Sequence, residues 1–117
     1  MNSRAKGKRG ELDFCRFLSE HGYPARRGQQ HAGGADSPDV ICECMPDVHH
    51  EVKRTERLYL HEALDQAVRD AVTKLPVVWY RRNGYGWVAI LRGEDMLSLL
   101  RESDYVVQPE DDDGHPV

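Results

Sequence analysis

Residues 61–75 place Leu64, Ala67, Val68, Ala71, Val72 and Leu75 on one helical face, while the segments on either side carry short apolar runs that alternate with period two. A helix set between two groups of strands restricts the chain to an α/β arrangement, in which helices cover a sheet. Strand signals fall at residues 25–27, 40–44, 48–53, 77–82 and 85–91. Met45-Pro46-Asp47 reads as a hairpin-like connection. Asn83-Gly84, the dipeptide that best tolerates the positive φ angles of a type I′ turn, reads as a second hairpin. A first helix is expected over 7–21 on Leu12, Phe14, Cys15, Phe17 and Leu18, stopped by Gly22-Tyr23-Pro24. Residues 25–36 lack periodicity after the first strand and suggest a flexible loop through Gly33-Gly34. A short closing helix is expected over 94–101 on Met96, Leu97, Leu99 and Leu100. The order is α-β-β-β-α-β-β-α, with no internal repeat.

At 117 residues, 39% hydrophobic and 31% charged, the chain suits one globular domain, expected over 1–102. Residues 103–117 read as an acidic, disordered tail. No apolar run is long enough to span a bilayer, and the first residues lack the apolar stretch of a signal peptide, so a cytoplasmic protein is expected. Cys15, Cys42 and Cys44 make an odd count, which argues against a disulfide framework.

The net charge of −4 disfavours a nucleic-acid partner only until it is located. Glu110, Asp111, Asp112 and Asp113 account for all of it, leaving the remainder balanced. Residues 1–31 hold Arg4, Lys6, Lys8, Arg9, Arg16, Arg26 and Arg27 against Glu11, Asp13 and Glu20, a local surplus of four positive charges suited to phosphate. An ordinary solvated N-terminus explains the same surplus equally well.

Two sets of carboxylates stand out. On a helical wheel Glu11 lies within the apolar arc, between Phe14, Cys15 and Leu18. A carboxylate buried there needs a cation, a metal or a functional cleft, unless it reaches solvent from a first helical turn. On the third strand His49, Glu51 and Lys53 alternate with Val48, His50 and Val52, and Asp39 on the second strand joins the Glu51 face if the apolar sets share the core. Two carboxylates so placed suit a hard cation such as Mg²⁺, and Lys53 would sit beside any phosphate held there. A surface Glu-Val-Lys ion pair is the plainer reading of Glu51 and Lys53 alone.

Ser37-Pro38-Asp39, Glu51-Val52-Lys53 and the helix-borne Glu11 together resemble the PD-(D/E)xK nuclease superfamily, in particular its Holliday junction resolvase-like branch of archaea and phages. The resemblance covers about residues 7–100. It implies a restriction-endonuclease-like core with a central mixed sheet and a metal-dependent DNA endonuclease acting on branched DNA. Asp39 and Glu51 would bind Mg²⁺ or Mn²⁺, with the Val52 carbonyl and Glu11 completing the site. Lys53 would orient water and stabilise the transition state. Lys6, Lys8, Arg9, Arg26, Arg27, Gln29 and Gln30 would meet DNA. Gln66 resembles a polar second-helix residue used by some members, although it falls opposite the stripe of Leu64, Val68 and Ala71. A homodimer and, for a phage protein, the host cytoplasm are implied in the same way.

Other chemistries have weaker support. No Ser-His-Asp pattern or dinucleotide fingerprint is present, and Gly7-Lys8-Arg9-Gly10 has the wrong spacing for a P-loop. Cys42, Cys44 and His50 offer a zinc set, but Val40, Val48 and Val52 share their face and favour a small apolar core. His49-His50 reads as a polar strand edge. Trp79 and Trp87 read as packing pairs across the hairpin, and Arg81 and Arg82 as DNA contacts or edge protection. A non-catalytic nucleic-acid-binding domain on the same fold is the alternative to an enzyme, with a zinc-bearing regulatory module third.

Overall fold

The computed structural model describes residues 3–28 and 39–108, with side chains from residue 7 onward. Gln29, Gln30, the loop expected through Gly33-Gly34, Ser37-Pro38 and the acidic residues Glu110 to Asp113 lie outside the described residues, as does the Lys6 side chain. The elements are α1 (Ser3–Glu20), β1 (Arg26–Arg27), β2 (Val40–Ile41), β3 (Val48–Arg54), α2 (Leu60–Ala71), β4 (Leu75–Arg81), β5 (Val88–Ile90) and α3 (Gly93–Arg101). Their order is the one expected, and they build a single α/β domain with a mixed sheet.

β3 and β4 run parallel from Val48↔Leu75 to Arg54↔Arg81, with α2 as the crossover that parallel pairing demands. β5 pairs antiparallel with β4 from Val78↔Ile90 to Tyr80↔Val88. β1 and β2 form a separate antiparallel pair. The hairpin expected at Met45-Pro46-Asp47 therefore does not form. Turn hydrogen bonds from Met45 N–H to Cys42 O (3.0 Å) and from Val48 N–H to Met45 O (3.3 Å) carry the chain instead from one sheet to the next.

Alternation on β4 sorts the core into two layers. Val78, fully buried, faces α2 and packs on Ala63 and Ala67. Trp79 faces α1 and packs on Phe14, with ring centroids 4.9 Å apart. Phe14 is fully buried, and losing its ring would cost about 3–5 kcal/mol. The side of α2 that meets the sheet is the alanine row Ala63, Ala67 and Ala71 rather than the larger apolar residues. Small side chains at i, i+4 and i+8 let the helix approach the strands closely, leaving Leu64 and Val68 half-buried.

Several boundaries differ from expectation for local reasons. α2 ends at Ala71 rather than at 75, because Val72 turns to φ 59° and is 73% exposed. Pro76 disfavours helical geometry at Leu75, which instead opens β4. Between β4 and β5, Gly84 has φ 83° but Asn83 does not have positive φ. The turn closed by Tyr85 N–H to Arg82 O (3.2 Å) thus has the glycine placement of type II, not type I′, and sits inside a wider connection. Leu12 points away from the core at 45% exposure. Gly10 on α1 lies where a Cβ would come within 2.7 Å of Arg54 Cβ, so a glycine there permits the close approach of α1 to β3.

α3 forms as expected but closes nothing. None of its residues is buried, and Met96, Leu97 and Leu99 are exposed. Gln108 Nε2 donates to Arg101 O at 2.8 Å, which folds the following residues back on the helix end. Among the described residues, no helix is long and apolar enough to cross a membrane.

Candidate metal and phosphate site beside strand β3

Alternation on β3 sends His49, Glu51 and Lys53 to the α2 side and His50 and Val52 to the α1 side. Because α2 covers the first set, Glu51 is only 4% exposed and must be partnered. Its two oxygens are divided between neighbours. Oε1 is 3.1 Å from His49 Nε2, and Oε2 is 3.6 Å from Lys53 Nζ. Lys53 also donates to Gln66 Oε1 at 3.2 Å, so α2 and β3 fix the ammonium between them.

Asp39 stands immediately before β2, its backbone carbonyl accepting from Gly28 N–H at 2.9 Å. Its carboxyl is pushed up to about 6 by burial, then by the charges of Glu11 and Glu51, while His49 and Lys53 pull it back. Glu11, on α1, has a side chain 14% exposed and accepts from Arg27 Nε of β1 at 2.9 Å. Its partner is thus a cation, not solvent. Three carboxylates, from α1, the β2 approach and β3, converge with two fixed cations, Arg27 and Lys53.

The structure brings together Glu11, Asp39, Glu51, Lys53 and Gln66. Gln66 is engaged even though it stands off the apolar stripe, since the row facing the sheet is the alanine row one position away. The basic residues are more scattered. Lys8 and Arg9 are exposed, Arg26 is held by Glu43 at 3.1 Å, and Arg27 is turned inward to Glu11. Arg81 is tied to Asp13 at 2.9 Å, and Arg82 covers the Tyr85 ring.

His49 and His50 are not a polar edge: they are 9% and 3% exposed. His50 packs against Phe14, and its Nδ1 accepts from Trp79 Nε1 at 3.0 Å. Burial pushes the His50 imidazole down to about 4, with His49 and Lys74 adding to the effect. Cys42 and Cys44 bring their sulfurs to 3.3 Å, but among the described residues they form no ligand group with His50. Trp79 and Trp87 both pack on Phe14 rather than pairing across the ladder.

Two residues near the cluster are not among the expected site residues. Alternation places His49 on the Glu51 face, but in sequence it reads as a polar strand edge, and Asp70 is not singled out. Asp70 lies one helical turn beyond Gln66, and a ligand atom from each of His49, Glu51 and Asp70 lies within 4.8 Å of the others. The signal for Asp70 was its i, i+4 spacing from Gln66. Comparison with protein families, curated proteins and solved structures returned no match.

Proposed function

We propose that this chain is a metal-dependent endonuclease of the PD-(D/E)xK kind, hydrolysing phosphodiesters in branched DNA on a restriction-endonuclease-like core. The proximity of Asp39 to Glu11 of α1 and to Glu51 and Lys53 of β3, all three of which act on its carboxyl, carries this reading. A carboxyl held as high as about 6 by burial and like charges fits a site in want of a cation, and the donors are hard oxygens. Asp39 and Glu51, with the Val52 carbonyl and Glu11, would hold Mg²⁺ or Mn²⁺. When bound, such an ion supplies a Lewis acid for the phosphate and an acidified water.

The remaining steps belong to the chain itself. Lys53 is pinned by Gln66 and Glu51, and an ammonium has three donors, so one stays free for a phosphate oxygen. Fixed in advance, that donor stabilises charge as it develops on the phosphate without reorganising. Arg27 neutralises Glu11 and limits the repulsion that an incoming phosphodiester meets. Exposed Lys8 and Arg9 supply positive charge for the DNA backbone. A homodimer would present two such sites to opposed strands, and exposed Met96, Leu97 and Leu99 on α3 offer an apolar surface for self-association.

The alternative, a binding domain without cleavage, has no use for buried carboxylates that repel phosphate. The deciding experiment pairs single-turnover cleavage of a labelled four-way junction in Mg²⁺ with anisotropy binding in Ca²⁺. Lys53→Ala and Glu51→Gln should each lower cleavage by about 100- to 1000-fold while affinity stays within a few-fold. Variants that cut as fast as wild type would remove the nuclease reading. A wild type that binds but cuts neither branched nor linear DNA would put the binding domain in its place.

A further inference from the structure

Glu51 faces a second set of neighbours that the proposed nuclease chemistry does not use. His49 Nε2 stands 3.1 Å from Glu51 Oε1, and Asp70 of α2 brings its carboxylate within 4.8 Å of both. His49 and Asp70 also line a cleft of about 560 Å³ between β2, the start of β3 and the end of α2. Glu11, Asp39 and Lys53 do not line it. Glu51 does not line it either, so His49 and Asp70 are the members of the group that face this cleft.

We propose that His49, Glu51 and Asp70 form a second divalent-cation site, selective for borderline transition ions such as Co²⁺ or Zn²⁺ over Mg²⁺. Selectivity follows from the donors. Imidazole nitrogen suits transition ions and adds little for Mg²⁺, which keeps water and oxygen ligands in a near-octahedral shell. Geometry agrees. Ligands about 2.1 Å from a shared ion stand about 3.0–3.4 Å apart at tetrahedral or octahedral angles, which matches the 3.1 Å between Nε2 and Oε1. Little movement of the His49 and Glu51 side chains would admit an ion. Asp70, half-buried at the last turn of α2, closes the third side from another element, so the site links helix to strand.

The site shares Glu51 with the nuclease cluster but needs neither Asp39 nor cleavage, and so stands or falls by itself. The test uses Co²⁺ as the probe, read by its visible d–d absorption on the full chain, with Mg²⁺ as competitor. Wild type should bind Co²⁺ and retain it in excess Mg²⁺. His49→Ala and Asp70→Asn should each weaken Co²⁺ binding about tenfold or more, whereas Asp39→Asn should leave it within about threefold. Circular dichroism checks the fold. If His49→Ala unfolds, His49→Gln and the conservative Asp70→Asn carry the comparison.

Co²⁺ binding unchanged in the His49 and Asp70 variants would overturn the proposal. So would a loss in all three variants, which would assign the ion to one merged cluster, or displacement by equimolar Mg²⁺. Junction cleavage in Mg²⁺ by the same preparations separates the two readings. An intact Co²⁺ spectrum without cleavage sinks the nuclease and leaves this site. Cleavage without a His49-dependent spectrum does the reverse.

Discussion

Arg27 Nε donates to Glu11 Oε1 across 2.9 Å, tying strand β1 to helix α1 at the rim of the carboxylate cluster. The pair offsets part of the repulsion among Glu11, Asp39 and Glu51. It also makes Arg27 a competitor for whatever cation would bind Glu11.

Arg27→Gln should therefore act differently with and without metal. In EDTA it leaves Glu11 half-buried beside Asp39 with no partner, at a cost of about 2 kcal/mol, discounted from the fully buried case because Arg27 is part-exposed. Mg²⁺ should restore much of that loss and bind more tightly than in wild type. Urea unfolding in EDTA and in Mg²⁺ measures both. An equal loss in the two conditions would make the pair a structural clip with no bearing on metal.

Asp39 and His50 should impose opposite pH slopes on stability in the absence of metal. Asp39 titrates at about 6 in the folded protein, above its unfolded value. The folded state thus holds that proton more tightly, and the contribution is full at low pH and lost as pH rises through about 6. His50 titrates at about 4, below its unfolded value, so its contribution is full above about 6.5 and lost as pH falls toward 4. The two nearly cancel in wild type. Asp39→Asn should steepen the gain in stability between pH 4 and pH 6 and raise stability at pH 7 by about 1–2 kcal/mol, reduced for partial exposure. His50→Asn, which keeps an acceptor for Trp79 N–H, should remove the acid-side loss. Identical pH profiles in EDTA for wild type and both variants would refute the assignment.

The element order was legible because the helices and the longer strands carry their own period, and because Gly22 and Pro24 punctuate the chain where α1 ends. Pairing partners were not. β2 lies beside β3 in sequence, and Met45-Pro46-Asp47 mimics a hairpin, yet Val40 and Ile41 find Arg27 and Arg26 instead. Nothing local distinguishes the two outcomes, since strand choice is settled by long-range packing. At the cluster, Glu11 was found because a charge in an apolar arc is conspicuous, and Glu51 and Lys53 because period two is strict. Gln66 and Asp70 were harder to place. The wheel of α2 was centred on its largest apolar residues, while the helix seats its alanines, and that rotation brings the polar flank to β3.

Gly7 and Gly10 share α1 and should respond oppositely to alanine. A Cβ at Gly7 meets nothing within 4 Å, so Gly7→Ala should stabilise by up to about 1 kcal/mol through helix propensity. At Gly10 the new Cβ would lie 2.7 Å from Arg54 Cβ, next to the β3 backbone, where little can give. Displacing Arg54 also disturbs its contacts with Asp13 (3.5 Å) and Asn83 (2.8 Å). Gly10→Ala should destabilise by about 1–3 kcal/mol despite the gain in propensity. Thermal denaturation of the two variants side by side decides it, and a stabilised Gly10→Ala would mean that α1 does not pack on β3 this closely.

The last prediction concerns which basic residues meet DNA, and it rests on the nuclease or binding-domain reading alike. Each phosphate contact by a free cation contributes about 0.9 to the slope of log affinity against log salt, through counterion release. Lys8 and Arg9 are exposed and form no ion pair among the described residues, so each is available for such a contact. Arg26 is exposed too, but Glu43 lies 3.1 Å away and already offsets its charge locally. Lys8→Ala with Arg9→Ala should thus lower the slope by nearly 2, while Arg26→Ala should lower it by less than half the single-contact value. Glu43→Gln should make Arg26 count in full, raising the slope of the otherwise wild-type chain. Anisotropy of a labelled junction in Ca²⁺ across a salt titration reads all four proteins in one series. Unchanged slopes for the Lys8 and Arg9 variant would show that the N-terminal surplus is solvated and that DNA is met elsewhere.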